Sequence, residues 1–172
     1  ARAARRTGRL RGCHASQQTM TRRIEVRRSG IHGRGVFAAA DLGAGIRVIE
    51  YRGRRISHDE ADRTYDGTLD SGHTFLFTLN DHWIVDANQG GNSARWINHS
   101  CDPNCEAVIH VDRNGDEARD RVFIETLRPI RAGEELTYNY GIVLDVPHTA
   151  RLKRVWACRC GARNCTGTLL QP

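Results

Sequence analysis

Three thiols near the C-terminal end of the chain, Cys158, Cys160 and Cys165, are spaced C-x-C-x4-C. Thiolates so spaced suit a zinc ion, but three are one short of a closed tetrahedral set, so a fourth ligand has to come from elsewhere. Disulfide pairing is the competing chemistry. Cys158 and Cys160 stand too close in sequence to bridge one another comfortably, and nothing marks a secreted chain. Upstream, two stretches concentrate amide, imidazole and phenol groups: RWINHSCDPNC at 95–105 and EELTYNYG at 134–141. Earlier still, GIHGRGVFA at 30–38 carries Gly33 and Gly35. Missing side chains there either let a ligand approach the backbone or simply close a turn.

The elements that must position these groups are short. The apolar pattern predicts strands at about 23–28, 46–51, 74–79, 83–86, 106–111 and 122–127. The run Thr74-Phe75-Leu76-Phe77-Thr78-Leu79 alternates imperfectly, as a strand buried on both faces would. One helix of any length is expected, from Asp59 to about Tyr65, after Ser57-His58, with a shorter turn at 92–97. Asn114-Gly115 between two strand-like runs reads as a hairpin turn. The sum is a mainly β fold with few short helices, and no internal repeat is visible.

A chain of 172 residues with 39% hydrophobic residues supports one domain with its own core. No apolar run approaches the roughly 18 residues of a membrane span. The formal charge of +6 is unevenly placed: Arg2, Arg5, Arg6, Arg9, Arg11, Arg22 and Arg23 precede the first acid, Glu25, and the rest of the chain holds 19 basic against 20 acidic residues. The basic character therefore belongs to residues 1–21, read as a disordered tail. It has no role in catalysis, or it attaches to nucleic acid or another acidic surface, or it is a transit segment. Met20 is the only methionine, so residues 1–19 lie upstream of a possible start.

Five ordered blocks, GIHGRGVFA, VIEYRG at 48–53, VDANQGGNSARWINHS at 85–100, EELTYNYG and the C-terminal cysteines, resemble the SET-domain protein-lysine methyltransferases. The resemblance runs from about residue 22 to 170. It implies a fold of small sheets around a C-terminal pseudoknot, in which the NHS and ELTYNY stretches cross. It divides the chain into a SET domain at 22–141, with an insert at about 57–80, and a post-SET zinc segment at 142–172. It implies S-adenosylmethionine as cofactor, leaving as S-adenosylhomocysteine, held by His32, Gly33, Arg34, Gly35, Phe75, Arg95, Trp96, Asn98 and His99, with Leu169 and Leu170 near the adenine. For Trp96, core packing and cofactor contact stay equally open. Cys101, directly after NHS, becomes the fourth zinc ligand with Cys158, Cys160 and Cys165, while Cys105 and Cys13 are left over.

The same resemblance makes Tyr140 the catalytic residue, with Tyr138 and Tyr51, and makes Tyr51, Phe75, Phe77, Tyr138 and Tyr140 the walls of a lysine channel. A phenol with a reference pKa of about 10 is a poor base, so orientation of the methyl donor is the better role. Asn139 stands where the family usually has aspartate. Tyr138 implies a mono- or dimethyl product. The expected partner is a protein bearing a target lysine, histone-like or otherwise basic, with Asp66 and Asp70 of the insert near its path. An inactive SET-fold module holding a basic protein or nucleic acid is the alternative, and a zinc-dependent scaffold is a third reading. Lys153 is the only lysine among 26 basic residues. That skew suggests a bacterial source, placing the protein in the cytoplasm or on the nucleoid, with delivery to a host nucleus left open, and it makes another molecule the substrate.

Overall fold

The computed structural model describes residues 23–65, 72, 74–144 and 146–171. The basic tail at 1–21, with Cys13, and the insert acids Asp66 and Asp70 lie outside the described residues. The elements run β1 (Ile24–Arg28), β2 (Arg34–Ala38), β3 (Arg47–Glu50), β4 (Arg54–Ser57), α1 (His58–Thr64), β5 (Leu76–Thr78), β6 (Trp83–Asp86), β7 (Asn98–His99), β8 (Cys105–His110), β9 (Arg121–Thr126), β10 (Glu135–Tyr138) and α2 (Ala150–Val155). Two 3-10 turns, Ser93–Trp96 and Glu117–Arg119, join them. The expectation of a mainly β chain with few short helices holds.

The strands form three small sheets, ordered β1-β2-β10-β7, β3-β9-β8 and β4-β6-β5. In the first, β1 and β2 pair antiparallel with Val26 opposite Val36, and β10 adds to the other edge of β2 through Leu136 opposite Val36. Strand β7 then lies parallel to β10, Asn98 beside Thr137 and His99 beside Tyr138. The two chemistry-rich stretches, far apart in sequence, are thereby laid side by side. Val36, Leu136, Ile97, Ile124, Ile130 and Tyr138 share one buried core under these sheets.

All six predicted strands are present, the one at 83–86 with the predicted bounds and the other five shifted at their ends by one or two residues. β2, β4, β7 and β10 were not predicted, because their sequences are short and carry glycine, arginine or polar groups at positions that the sheet nonetheless covers. α1 begins at His58, capped by Ser57, whose hydroxyl accepts from the Glu60 N–H. Asp59 and Glu60 in its first turn suit the positive end of the helix dipole. The turn at 92–97 is the 3-10 turn Ser93–Trp96, capped by Asn92. Asn114-Gly115 does not close a two-residue hairpin. β8 and β9 pair antiparallel, but their connection at 111–120 is longer and includes a 3-10 turn. Gly115, at φ 74°, supplies only one bend within it. Asp120 closes the loop at its base, accepting from the Asp112 N–H at 2.8 Å. α2 was not predicted; it starts at Thr149, whose hydroxyl accepts from the Leu152 N–H.

Candidate functional site

Strand β10 delivers Tyr138 and, just beyond its end, Tyr140 to the place where β7 ends in His99. The Tyr140 N–H donates to His99 Nδ1 at 3.2 Å, and the Tyr140 hydroxyl donates to the Ile97 carbonyl at 2.9 Å. The imidazole and phenol rings meet edge to face, centroids 5.3 Å apart. Because Nδ1 accepts, Nε2 carries the proton of the neutral ring, and burial lowers the His99 pKa and keeps it neutral. Nε2 faces Cys101 Sγ at 3.5 Å. One histidine therefore links the backbone at Tyr140 to the cysteine cluster.

Two cavities open on either side of Tyr140, and Thr74, Tyr140 and Ile142 line both. The first is bounded by Ile31 and His32 from the β1–β2 loop, by Asn98 and His99, and by residues 154–159 with Leu169. Asn98 spends its Nδ2 protons on Arg34 O at 2.9 Å and Glu135 Oε1 at 2.8 Å, with His32 O at 3.3 Å. Its Oδ1 takes no hydrogen bond among the described residues, so an acceptor is left in the cavity wall. An ammonium-bearing ligand with an apolar ring fits such a lining, since the same wall holds Trp156 and Leu169.

The second cavity is lined by Tyr51, Phe77, Tyr138, Leu76 and Val143, with Arg95 as its charged group. Among the described residues, no carboxylate or histidine lines it. Tyr51 donates to the Phe75 carbonyl at 3.0 Å and its ring packs against Phe77, centroids 5.6 Å apart. Burial pushes the Tyr51, Tyr138 and Tyr140 phenols well up, with neighbouring tyrosines adding to it for Tyr51 and Tyr138. They stay protonated wherever the protein is handled. The Tyr138 hydroxyl has no protein partner among the described residues, although the residue is only 7% exposed. It is free to meet whatever enters the channel.

The sequence-derived residues thus divide. His32, Asn98, His99, Tyr140 and Leu169 line the first cavity, and Tyr51, Phe77, Tyr138 and Tyr140 the second. Arg95 is at the second cavity, not the first; it donates to the Ala87 carbonyl at 2.9 Å and lies over Phe75 and Trp96. Phe75 and Trp96 line neither cavity and instead pack edge to face at 5.1 Å, so packing is what the structure gives Trp96. Gly33, Arg34 and Gly35 sit behind the first cavity. Gly33 is needed for its φ of 48°, and a Cβ on Gly35 would collide with the Glu135 carboxylate. Leu170, 4% exposed, is bridged to Ile142 beneath the wall. Sequence reasoning missed Ile142 and the stretch Arg154, Val155, Ala157 and Arg159. Their one signal was adjacency to the cysteines.

The sulfurs of Cys101, Cys158, Cys160 and Cys165 all lie within 4.8 Å of one another. Cys101 and Cys158 are 3.8 Å apart, far beyond a disulfide. A tetrahedral ion with metal–sulfur bonds of about 2.3 Å sets its sulfurs about 3.8 Å apart, so the cluster has the dimensions of a four-thiolate site. Burial opposes ionisation of Cys160, but the N–H groups of Cys101 and Ala162 together with the neighbouring Cys158 and Cys165 thiols bring that thiol down to about 6; burial pushes Cys158 the other way. Cys105 stands apart as a fully buried thiol, raised to about 12 by burial.

Comparison with known proteins agrees with this arrangement. The chain is 39% identical over 153 residues to histone-lysine N-methyltransferase 2B of Homo sapiens, covering 87% of this chain and 5% of that protein. It is 40% identical over 144 residues to the H3 lysine-4 specific histone-lysine N-methyltransferase of Saccharomyces cerevisiae, covering 83% and 13%. Against histone-lysine N-methyltransferase trithorax of Drosophila virilis it is 39% identical, covering 83% and 3%. It therefore spans only a small part of the length of these relatives. Residues 33–141, the span that holds β7, β10 and most of the second cavity's lining, match the family described as SET domain, and the chain belongs to that family.

Proposed function

We propose that the chain is a protein-lysine N-methyltransferase that uses S-adenosylmethionine. The observation that carries this is the pair of cavities meeting at Tyr140, one with an amide oxygen unpaired among the described residues and one with aromatic walls. When bound, the cofactor supplies a methyl group on a positively charged sulfur. Tyr140 spends its proton on Ile97, so its oxygen lone pairs are what it presents where the cavities join. Weak CH···O contacts to that oxygen would align a polarised methyl for in-line displacement. His99 holds the Tyr140 backbone in place for this.

The nucleophile is the neutral amine of a lysine. Its neutralisation at pH 7.4 costs about 4 kcal/mol from a reference pKa of about 10.4. The described walls of the channel lower that cost in two ways. Aromatic walls desolvate the ammonium, and Arg95 repels it. The rings still tolerate the cationic methylated product. The basic substrate is read as a histone or another basic protein, as the similarity to histone-lysine methyltransferases favours. A bacterial source rests on the arginine bias alone. No described helix is long and apolar enough to cross a membrane.

We assign 22–141 to the SET domain and 142–172 to a post-SET segment that closes over the first cavity, with structural zinc on Cys101, Cys158, Cys160 and Cys165. Cys158 is both a member of the cluster and part of the cavity wall, which supports this coupling. The free Tyr138 hydroxyl supports a mono- or dimethyl product, since it can hold a water beside the amine and deny space to a third methyl.

The decisive assay incubates zinc-replete protein with methyl-labelled cofactor and core histones or other basic proteins. Transfer is expected, and Tyr140→Phe should reduce it by on the order of a hundredfold, the cost of a misaligned donor; equal transfer by the variant sinks the role of Tyr140. With rising pH, kcat should climb about tenfold per unit below the bound lysine's pKa, and kcat/KM, which follows the free lysine with its reference pKa of about 10.4, should continue to climb above pH 8. A profile flat from pH 6 to 9.5 contradicts the neutral-amine account. Mass spectra of the product should show a higher methylation state for Tyr138→Phe with activity retained; unchanged spectra defeat the space argument. Chelation or Cys160→Ser should weaken cofactor binding and transfer together, by about tenfold or more given the large share of local folding energy that structural zinc supplies. Full cofactor affinity in metal-free protein would separate the cluster from the site.

A further inference from the structure

Glu135 is not among the residues lining either cavity, yet it organises the wall of the first. It lies in β10 opposite Phe37 of β2, and its carboxylate fills the space over Gly35 where any side chain would stand. Ser29 fastens it from the β1–β2 loop. The Ser29 hydroxyl accepts the Ile31 N–H at 2.9 Å, so its own proton goes to the carboxylate, 2.7 and 2.9 Å from the two oxygens. Asn98 Nδ2 approaches the same carboxylate from β7, 2.8 Å from Oε1. Its second proton goes to Arg34 O at 2.9 Å, with His32 O beside it at 3.3 Å. Turning the amide over would set Oδ1 against three acceptors, so the orientation is fixed by the network.

We infer that Glu135 is a positioning residue for the cofactor: by anchoring the Asn98 amide it presents Oδ1 to the first cavity as the acceptor for the ammonium of an amino acid moiety. This rests on the reading that the first cavity takes S-adenosylmethionine. The glycine at position 35 then has a defined reason. It admits the carboxylate that sets the amide, and the ligand need not approach it at all.

The test measures binding of S-adenosylhomocysteine and of its desamino analogue, which lacks only the amino group, to wild type, Glu135→Ala, Glu135→Gln and Ser29→Ala. Wild type should prefer the amino form. Glu135→Ala should weaken that form by about tenfold or more, the scale of a lost charged hydrogen bond, while the analogue changes by less than about twofold. Glu135→Gln retains Oε1 as an acceptor for both Asn98 and Ser29, so it should keep the preference. Adding Glu135→Ala to Asn98→Ala should cost little more than Asn98→Ala alone. Equal weakening of both ligands, an unchanged preference in Glu135→Ala, additive losses, or a Glu135→Gln variant as impaired as Glu135→Ala each overturn the inference. Should Glu135→Ala fail to fold, Ser29→Ala frees the carboxylate without opening the strand. It is then expected to lose several-fold of the preference, and keeping all of it overturns the assignment. Wild type that binds the two ligands equally defeats this inference alone, and wild type that binds neither defeats the function reading with it.

Discussion

The parallel contact between β7 and β10 is the constraint on which the rest of the molecule depends. It is short, Asn98 beside Thr137 and His99 beside Tyr138, and so needs reinforcement from side chains. Asn104 provides it. Buried at 3% exposure, its amide donates to the Glu135 carbonyl at 2.8 Å and accepts the Thr137 N–H at 2.8 Å, and its own carbonyl accepts from Leu127 at 2.9 Å. A buried amide in this position ties three segments, and leaving any of its partners unpaired would cost about 1–3 kcal/mol. The Ser100 N–H adds a bond to the Tyr138 carbonyl at 3.2 Å. Parallel strands from distant stretches cannot be joined by a tight turn, so tertiary hydrogen bonds of this kind set the register.

That register decides what each alternate residue of β10 does. Leu136 turns into the core beside Val36, Tyr138 reaches the second cavity, and Glu135 points to the glycine loop and Asn98. A slip of one residue would exchange a core leucine for a carboxylate and carry the tyrosines away from the junction. The same burial that makes the channel dry pushes its phenols up, so the environment suited to a neutral amine also keeps the neighbouring tyrosines neutral. One physical cause serves both groups.

Much of this was legible in the sequence, and the gaps have identifiable causes. Strands with β-branched or aromatic runs, such as Trp83–Asp86, were found because their pattern is local. β7 and β10 were recognised only as motifs, because Asn98-His99 is too short to show a period and its pairing lies wholly outside its own segment. That His32, Asn98, His99 and the tyrosines would gather in one place was reachable through the family resemblance, and they line the two cavities. Arg95 and Trp96 were harder to place, since their neighbours in sequence line the first cavity while their side chains turn toward Phe75. The two glycines looked alike in sequence and differ in space: one is required by its dihedral angle, the other by a carboxylate from a strand a hundred residues away. No local rule distinguishes these cases.

The site also has an energetic consequence that follows from where its walls come from. Residues near 32, 98, 140, 156 and 169 must converge before the first cavity exists, so no early segment of the chain can hold the ligand by itself. A ligand that binds only the converged state stabilises that state by mass action, and so does an ion that draws Cys101 toward the C-terminal thiols. The two effects share a path, because His99 touches Cys101 with one nitrogen and supports Tyr140 with the other. Fixing the cluster restricts the imidazole, and a restricted imidazole leaves less freedom to be lost when the first cavity fills. A ligand in the first cavity and an ion on the four thiols would thus each stabilise contacts among the same converging segments.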